Sequence, residues 1–291
     1  MYSQKSFDQT TEHGTLFIVP TPIGNLEDIT IRSLNTLKSV DIIAAEDTRN
    51  TKKLLNHFEI TQSLISYHEH NQSQRESMLL DKLKEGNDVA LVSDAGMPAI
   101  SDPGNQIVQA AVRDQIAVVV LPGANAALCA LVGSGLDTTH FYFYGFLPRK
   151  NKDRKYAFDF LNRIPDTILL YESPYRLAET LQDIKENLGN RQVSIARELT
   201  KRFEEYIRGS VHEVQEWLET GMVKGEFCIV IEGNDNADDL EEKNWWEELS
   251  IVEHVESLIQ NEQISSKDAI KQVSSERNIP KREVYQAYHV N

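Results

Sequence analysis

The residue types able to do chemistry in this chain gather in four short polar segments, each closing an apolar run. AAEDTRNTKKLL places Glu46, Asp47 and Arg49 together, and SYHEHNQ carries His68 and His70. YESPYR carries Glu172 and Arg176, and ARELTKRFEE carries Arg197. Carboxylates and imidazoles so placed can hold or move a proton, and guanidinium groups can hold an anion. Each segment alone has a plain structural explanation. Asp47 or Thr48 is a natural N-cap for a following helix. His68 and His70 lack an evident third ligand, so a polar loop explains them better than a metal site. A cap does not explain three polar groups at one strand end, and four such ends, two from each half, read as the walls of a cleft.

The elements that must position them alternate. Strand-like runs fall near 15–20, 41–45, 63–67, 88–93 and 117–121, with helical stretches near 30–39, 48–58, 71–85, 104–114 and 124–134. This alternation predicts a parallel sheet with crossover helices. Three of the strands run into loops of small residues: TPIGNLED, DAGMPAISDPG and PGANAA. Such loops turn sharply with little bulk and gather beyond the carboxyl ends of a parallel sheet, where ligands bind. FYFYGFLPRK leads into a second α/β region: helix 152–162, strand 167–172, helix 175–187, strand 192–198, then 204–211, helix 211–220 and a central strand in EFCIVIEG. A polar linker follows, then helices in IVEHVESLIQ, SSKDAIKQVSSER and PKREVYQAYHV, with Ser265 or Ser266 as a cap and Pro280 in a first turn. The expected divisions are 14–139, 140–233 and 245–291. The last could be a helix-turn-helix-like module or a packing or dimerisation appendage, and Trp245 and Trp246 could anchor it.

The sequence has 291 residues, 40% hydrophobic and 26% charged, with a net charge of −15. No apolar run reaches the roughly 18–20 residues that span a bilayer. The polar start, without an apolar signal core, points to the cytoplasm. Cys129 and Cys228 lie in apolar surroundings and are expected as buried free thiols. The negative charge argues against a general nucleic-acid coat. It is uneven, however: RKNKDRK, from Arg149 to Lys155, is basic and borders the predicted cleft. There is no GxxxxGK[ST], no GxGxxG after the first strand, no HExxH and no paired CxxC, which disfavours a P-loop ATPase, a dinucleotide fold and a zinc site.

In order along residues 14–233, VPTPIGNLEDIT, AEDTR, YHEHN, LVSDAGMPAISDPG, LPGANA, GFLP, YESPYR, ARELTK and KGEFCIVIEG resemble the tetrapyrrole methylase superfamily, the third structural class of S-adenosylmethionine methyltransferases. Within it they resemble the small-subunit ribosomal RNA cytidine-2′-O-methyltransferases. PGANA departs mildly from relatives with Ser or Pro at Ala124 or Asn125. The resemblance implies a two-domain α/β fold with a parallel-sheet N-domain, a mixed-sheet second domain and a helical module. It also implies a homodimer and S-adenosylmethionine between the domains. The cofactor would meet Pro22 in the first loop. It would meet Asp94, Ala95, Gly96, Met97 and Ile100 in the second, and Pro122, Asn125 and Ala126 in the third. From the second domain it would meet Leu169, Tyr171, Leu199, Gly225 and Phe227.

The implied reaction is methylation of a cytidine 2′-hydroxyl in the decoding region of small-subunit ribosomal RNA. It requires alignment of an activated methyl group and management of one proton. Glu46, Asp47, His70 and Glu172 are the candidates for the proton. Arg49, Arg149, Lys150, Arg154, Lys155, Arg176 and Arg197 are the candidates for RNA phosphates. No metal and no DNA partner are expected. The competing readings are methylation of a corrin or porphyrin precursor or a modified protein residue, a non-catalytic RNA-binding protein, and a metabolite-binding regulator using the C-terminal helices on DNA, which the negative charge disfavours.

Overall fold

The computed structural model describes residues 3–5, 12–220, 224–235, 246, 249–262 and 264–289. The chain forms two compact units, Met1–Asn234 and Asp235–Asn291.

In the first unit, β1 (Leu16–Ile18), β2 (Ile42–Ala45), β3 (Ser63–Ser66), β4 (Val89–Val92) and β5 (Val118–Val120) form one parallel sheet in the order β3-β2-β4-β1-β5. Parallel neighbours need long crossovers, and α1 (Ile31–Ser39), α2 (Thr48–His57), α3 (Gln72–Lys84) and α4 (Asn105–Arg113) supply them. Successive strand residues point to opposite faces. Leu16, Ile18, Val89 and Leu91 therefore pack with Leu79, Leu83 and Ile107 from α3 and α4. Val19, Ala90 and Val92 pack with Leu37 and Leu55 from α1 and α2. This burial on both faces is why the strands read as continuous apolar runs.

The second sheet comprises β6 (Phe141–Phe146), β7 (Thr167–Glu172), β8 (Gln192–Arg197), β9 (Glu205–Ser210) and β10 (Phe227–Ile231). Its order is β6-β7-β10-β8-β9; β6 and β7 are parallel and the other pairs antiparallel. The strand expected at EFCIVIEG is indeed the central one. One face is covered by α6 (Asn151–Leu161), α7 (Leu177–Leu188) and α8 (Val211–Thr220). The other is covered by α5 (Ala126–Ser134), whose Ala127, Ala130 and Leu131 pack on Leu169, Ala196 and Val230. Thus α5 follows the first sheet in sequence but serves as a layer of the second.

Two expectations are corrected here. Cys129 is exposed, because α5 turns Leu128, Cys129 and Val132 away from the sheet, while Cys228 is buried. Arg154 is only 4% exposed: it lies on the inner face of α6 beside Ala157, Phe158 and Leu161 and pairs with Asp183.

The second unit holds α9 (Ile251–Glu262), α10 (Ser266–Glu276) and α11 (Lys281–His289) around Val255, Leu258, Ala269, Ile270, Val273 and Val284. Ser265 caps α10 by accepting the Asp268 N–H. The Trp246 carbonyl accepts from Arg277 at 2.7 Å, and its ring stacks on His254 within this unit. Trp245 lies outside the described residues.

Candidate active site

Strands β1, β2, β4 and β5 end at one edge of the first sheet. Strands β6, β7 and β8 end facing them, where the antiparallel β10 begins, with Phe227 registered on Glu172 and Arg197. Between these edges lies a cleft of about 530 Å³.

The loops on the first sheet's side are stitched together. Thr21 and Gly96 exchange two backbone hydrogen bonds of 3.0 Å, and the Thr21 hydroxyl donates to the Ser93 carbonyl at 3.1 Å. Gly96 sits at φ +83°, a conformation that favours glycine. Asn125 caps α5 by accepting the Leu128 N–H at 3.0 Å, and the Ala127 N–H donates to the Tyr171 hydroxyl at 3.2 Å. Across the cleft, the Asn25 N–H donates to Thr200 Oγ1 at 3.0 Å. Gly225, at φ +88°, lets Glu198 approach; a Cβ there would stand 2.2 Å from Glu198 Oε1. Ala99, Ser101, Glu198 and Thr200 are non-glycine residues at positive φ in the loops forming this cleft. Strained backbone of this kind clusters at functional sites.

The wall is acidic: Glu46, Asp94, Asp102, Glu172, Glu198 and Glu226 line it, with Lys201 as the cation. Lys201 Nζ pairs with Glu198 Oε1 at 3.0 Å. Burial, then the charge of Asp94, raises the Glu46 carboxyl above its ordinary range. Burial, then the charges of Glu46 and Asp94, pushes Asp102 up to about 7. Burial also raises the Tyr171 hydroxyl and pushes the Cys228 thiol up to about 12. Glu172 is 2% exposed and satisfied by Thr180 Oγ1 and its neighbour's Ser173 N–H, both at 2.7 Å. Apolar wall is provided by Ile23, Met97, Ile100, Leu199 and Phe227. A cationic sulfonium with a flat adenine fits this combination of carboxylates, small-residue loops and apolar surface.

Twelve of the expected residues meet in this cleft: Glu46, Asp94, Ala95, Gly96, Met97, Ile100, Asn125, Ala126, Tyr171, Glu172, Leu199 and Phe227. The others do not line it. Pro22 lines a neighbouring pocket, and Pro122 is exposed. Leu169 is buried under α5, and Gly225 stands behind Glu198. Asp47 caps α2 and holds Arg49 through a 2.7 Å ion pair that keeps its carboxyl low, at about 2. His70 is exposed in the loop after β3.

Arg149, Lys150 and Lys155 are exposed at the start of α6. Buried Arg154 is unavailable to RNA: its guanidinium is taken by Asp183 and Thr180. Arg176 donates to the carbonyls of Leu147 and Pro148, and Arg197 pairs with Glu205 at 2.6 Å. Sequence reasoning missed Asp102, Glu198, Lys201 and Glu226. Asp102 precedes Pro-Gly, where an acid has the ordinary look of a turn residue; Glu198 and Lys201 stood in the ARELTK segment without being singled out.

The tetrapyrrole (corrin/porphyrin) methylases match residues 15–215. A "Ribosomal RNA small subunit methyltransferase I" of Halalkalibacterium halodurans is 53% identical over 289 residues, covering 99% of each chain. Among solved structures, diphthine synthase aligns at TM-score 0.60 and 14% identity over 75% of this chain and 90% of its own. Uroporphyrin-III C-methyltransferase from Thermus thermophilus, complexed with S-adenosylhomocysteine, aligns at TM-score 0.52 and 18% identity over 78% of this chain and 100% of its own. At these identities the two structures speak for the fold. The chain therefore belongs to the tetrapyrrole (corrin/porphyrin) methylase family.

Proposed function

We propose that the protein methylates small-subunit ribosomal RNA from S-adenosylmethionine, at the 2′-hydroxyl of a cytidine in the decoding region. The observation that carries this reading is the acidic, small-residue cleft in a chain 53% identical along its whole length to a ribosomal RNA small subunit methyltransferase. S-adenosylmethionine supplies a methyl group already activated on a sulfonium. The protein's part is alignment and one proton. Ala95 and Gly96 line the cleft with little side-chain bulk, and Asp94 and Asp102 offer negative charge to a cation. Of Glu46, Asp47 and Glu172, Glu46 is the best-placed acceptor for the hydroxyl proton, because it lines the cleft, and its raised pKa makes it a stronger base than Asp47. Asp47 is a weak base, held low by Arg49, and the Glu172 oxygens are already engaged.

Two finer points belong to the same reading. A homodimer is supported by Leu128 and Val132, four residues apart on the outer side of α5 and exposed, Val132 by 76%. A cytoplasmic location follows from a ribosomal substrate, and among the described residues no helix is long and apolar enough to cross a membrane.

The test is incubation with labelled S-adenosylmethionine and either small ribosomal subunits or a free tetrapyrrole. Label at a ribose of the RNA is the expected result. Label in the tetrapyrrole alone would replace this reading with a corrin or porphyrin acceptor.

A further inference from the structure

Next to the main cleft lies a second pocket of about 340 Å³, between the loop after β1 and helix α2. Its lining is less acidic than its neighbour's: Lys53 and His57 stand there against one carboxylate, Asp94. Arg49, Lys53 and His57 follow one another at four-residue spacing and so share one face of α2. Lys53 and His57 line the pocket and are exposed. Arg49 begins the same ridge with its side chain 85% exposed, even while it pairs with Asp47. Pro22, Leu26 and Leu54 give the pocket an apolar surface, and Asn50 adds an amide.

The two cavities share a wall, because Asp94 lines both. That wall is fixed: Asp94 accepts from the Asp47 N–H at 3.1 Å and from Asn50 Nδ2 at 3.0 Å. Whatever occupies the second pocket is therefore one side chain from the main cleft. In a chain of net charge −15, a basic ridge beside an apolar hollow at this place matches one chemistry, an anionic backbone carrying flat bases. Single-stranded RNA presents both, its phosphates to cations and its unstacked bases to apolar surface.

We propose that this second pocket is the acceptor subsite: it seats a nucleotide of the RNA strand at or beside the methylated ribose, with Lys53 and His57 on its phosphates and Pro22, Leu26 and Leu54 against its base. The inference rests on the RNA acceptor proposed above. Lys53 and His57 act here as positioning residues.

The experiment compares the unaltered protein with Lys53→Glu, His57→Ala and, as a control one residue off the ridge, Lys52→Glu. Methyl transfer to small ribosomal subunits and S-adenosylmethionine binding are measured for each across a range of salt. The expected result for Lys53→Glu is a roughly tenfold rise in KM for RNA and a salt dependence shallower by about one. His57→Ala is expected to raise KM less. Binding of S-adenosylmethionine should stay unchanged in both, which also reports that they fold, and Lys52→Glu should behave as the unaltered protein. If RNA is labelled and Lys53→Glu keeps its KM, or Lys52→Glu loses as much, the subsite is overturned while the RNA reading stands. If the unaltered protein labels no RNA, both fall together.

Discussion

Thr180 Oγ1 donates to Glu172 Oε2 at 2.7 Å and accepts from Arg154 Nη2 at 3.0 Å. This one hydroxyl joins a carboxylate of the cleft wall to the guanidinium beneath it, and Arg154 continues the chain to Asp183. Thr180→Val keeps the shape but leaves a buried carboxylate oxygen and a buried N–H short of a partner. The expected cost is about 1–3 kcal/mol, read as a lower Tm. An unchanged Tm would show that Glu172 and Arg154 do not depend on the hydroxyl.

Glu46 and Glu172 should separate under the same substitution. Glu46→Gln is expected to lower kcat by about 10²–10⁴-fold with S-adenosylmethionine binding retained, the usual range for loss of a proton acceptor. Glu172→Gln should instead lower Tm, because its oxygens are bound within the protein. Single-turnover methylation and thermal melting on both variants check this. Near-normal turnover in Glu46→Gln would leave alignment alone as the source of the rate.

Asp102, pushed up to about 7, makes the cleft sensitive to pH. A carboxyl raised on folding adds stability that is complete below about pH 4 and is lost as the pH rises through about 7. A bound cation favours the charged form. Binding of S-adenosylmethionine should therefore release a proton near neutrality and tighten between about pH 6 and about pH 8. Calorimetry in buffers of different ionisation enthalpy measures the release, and Asp102→Asn should flatten both effects.

Gly225→Ala places a methyl group 2.2 Å from Glu198 Oε1 at a backbone φ of +88°. The carboxylate must move and the Glu198–Lys201 pair must shift with it. The variant should lose about 1–3 kcal/mol of stability and bind S-adenosylmethionine more weakly. Equal affinity would show that this pair stands apart from the ligand.

The exposed bases at the start of α6 can be tested without disturbing the core. Arg149→Glu with Lys150→Glu and Lys155→Glu should weaken RNA binding and lessen its salt dependence, with Tm unchanged. Unchanged affinity at all salt concentrations would make them an ordinary solvated face.

The strands and helices were legible because periodicity and capping agree locally. Asp47 and Ser265, which their positions mark as possible caps, are caps, and EFCIVIEG, whose apolar run marks a central strand, is one. Arg154 has the charge of an RNA contact but the position of a core residue. It falls three, four and seven residues before Ala157, Phe158 and Leu161, the spacing of an inner helix face, and that spacing won. Cys129 had no such signal: AALCALVGS is apolar almost throughout, so no period says which side faces out. The cleft residues were legible where a motif loop carries them. Asp102 and Lys201 were not: Asp102 is set apart by burial and by Glu46 and Asp94, which only the folded chain brings near, and a Lys three residues after Glu198 has the ordinary look of a surface pair.

Asn25 and Thr200 meet through one exposed hydrogen bond at 3.0 Å, reaching from the first sheet's loop to the second's. Beside that bond, Ile23 of the same loop packs against the cluster that Leu199 forms with α5, and Gly24 lies so close to Leu199, Thr200 and Lys201 that no Cβ would fit. The loop after β1 is thus clasped to the loop after β8, and the cleft cannot widen on this side without parting that clasp. The Asn25 amide is accordingly a reporter of that parting, its hydrogen exchanging in proportion to the fraction of time the clasp is open.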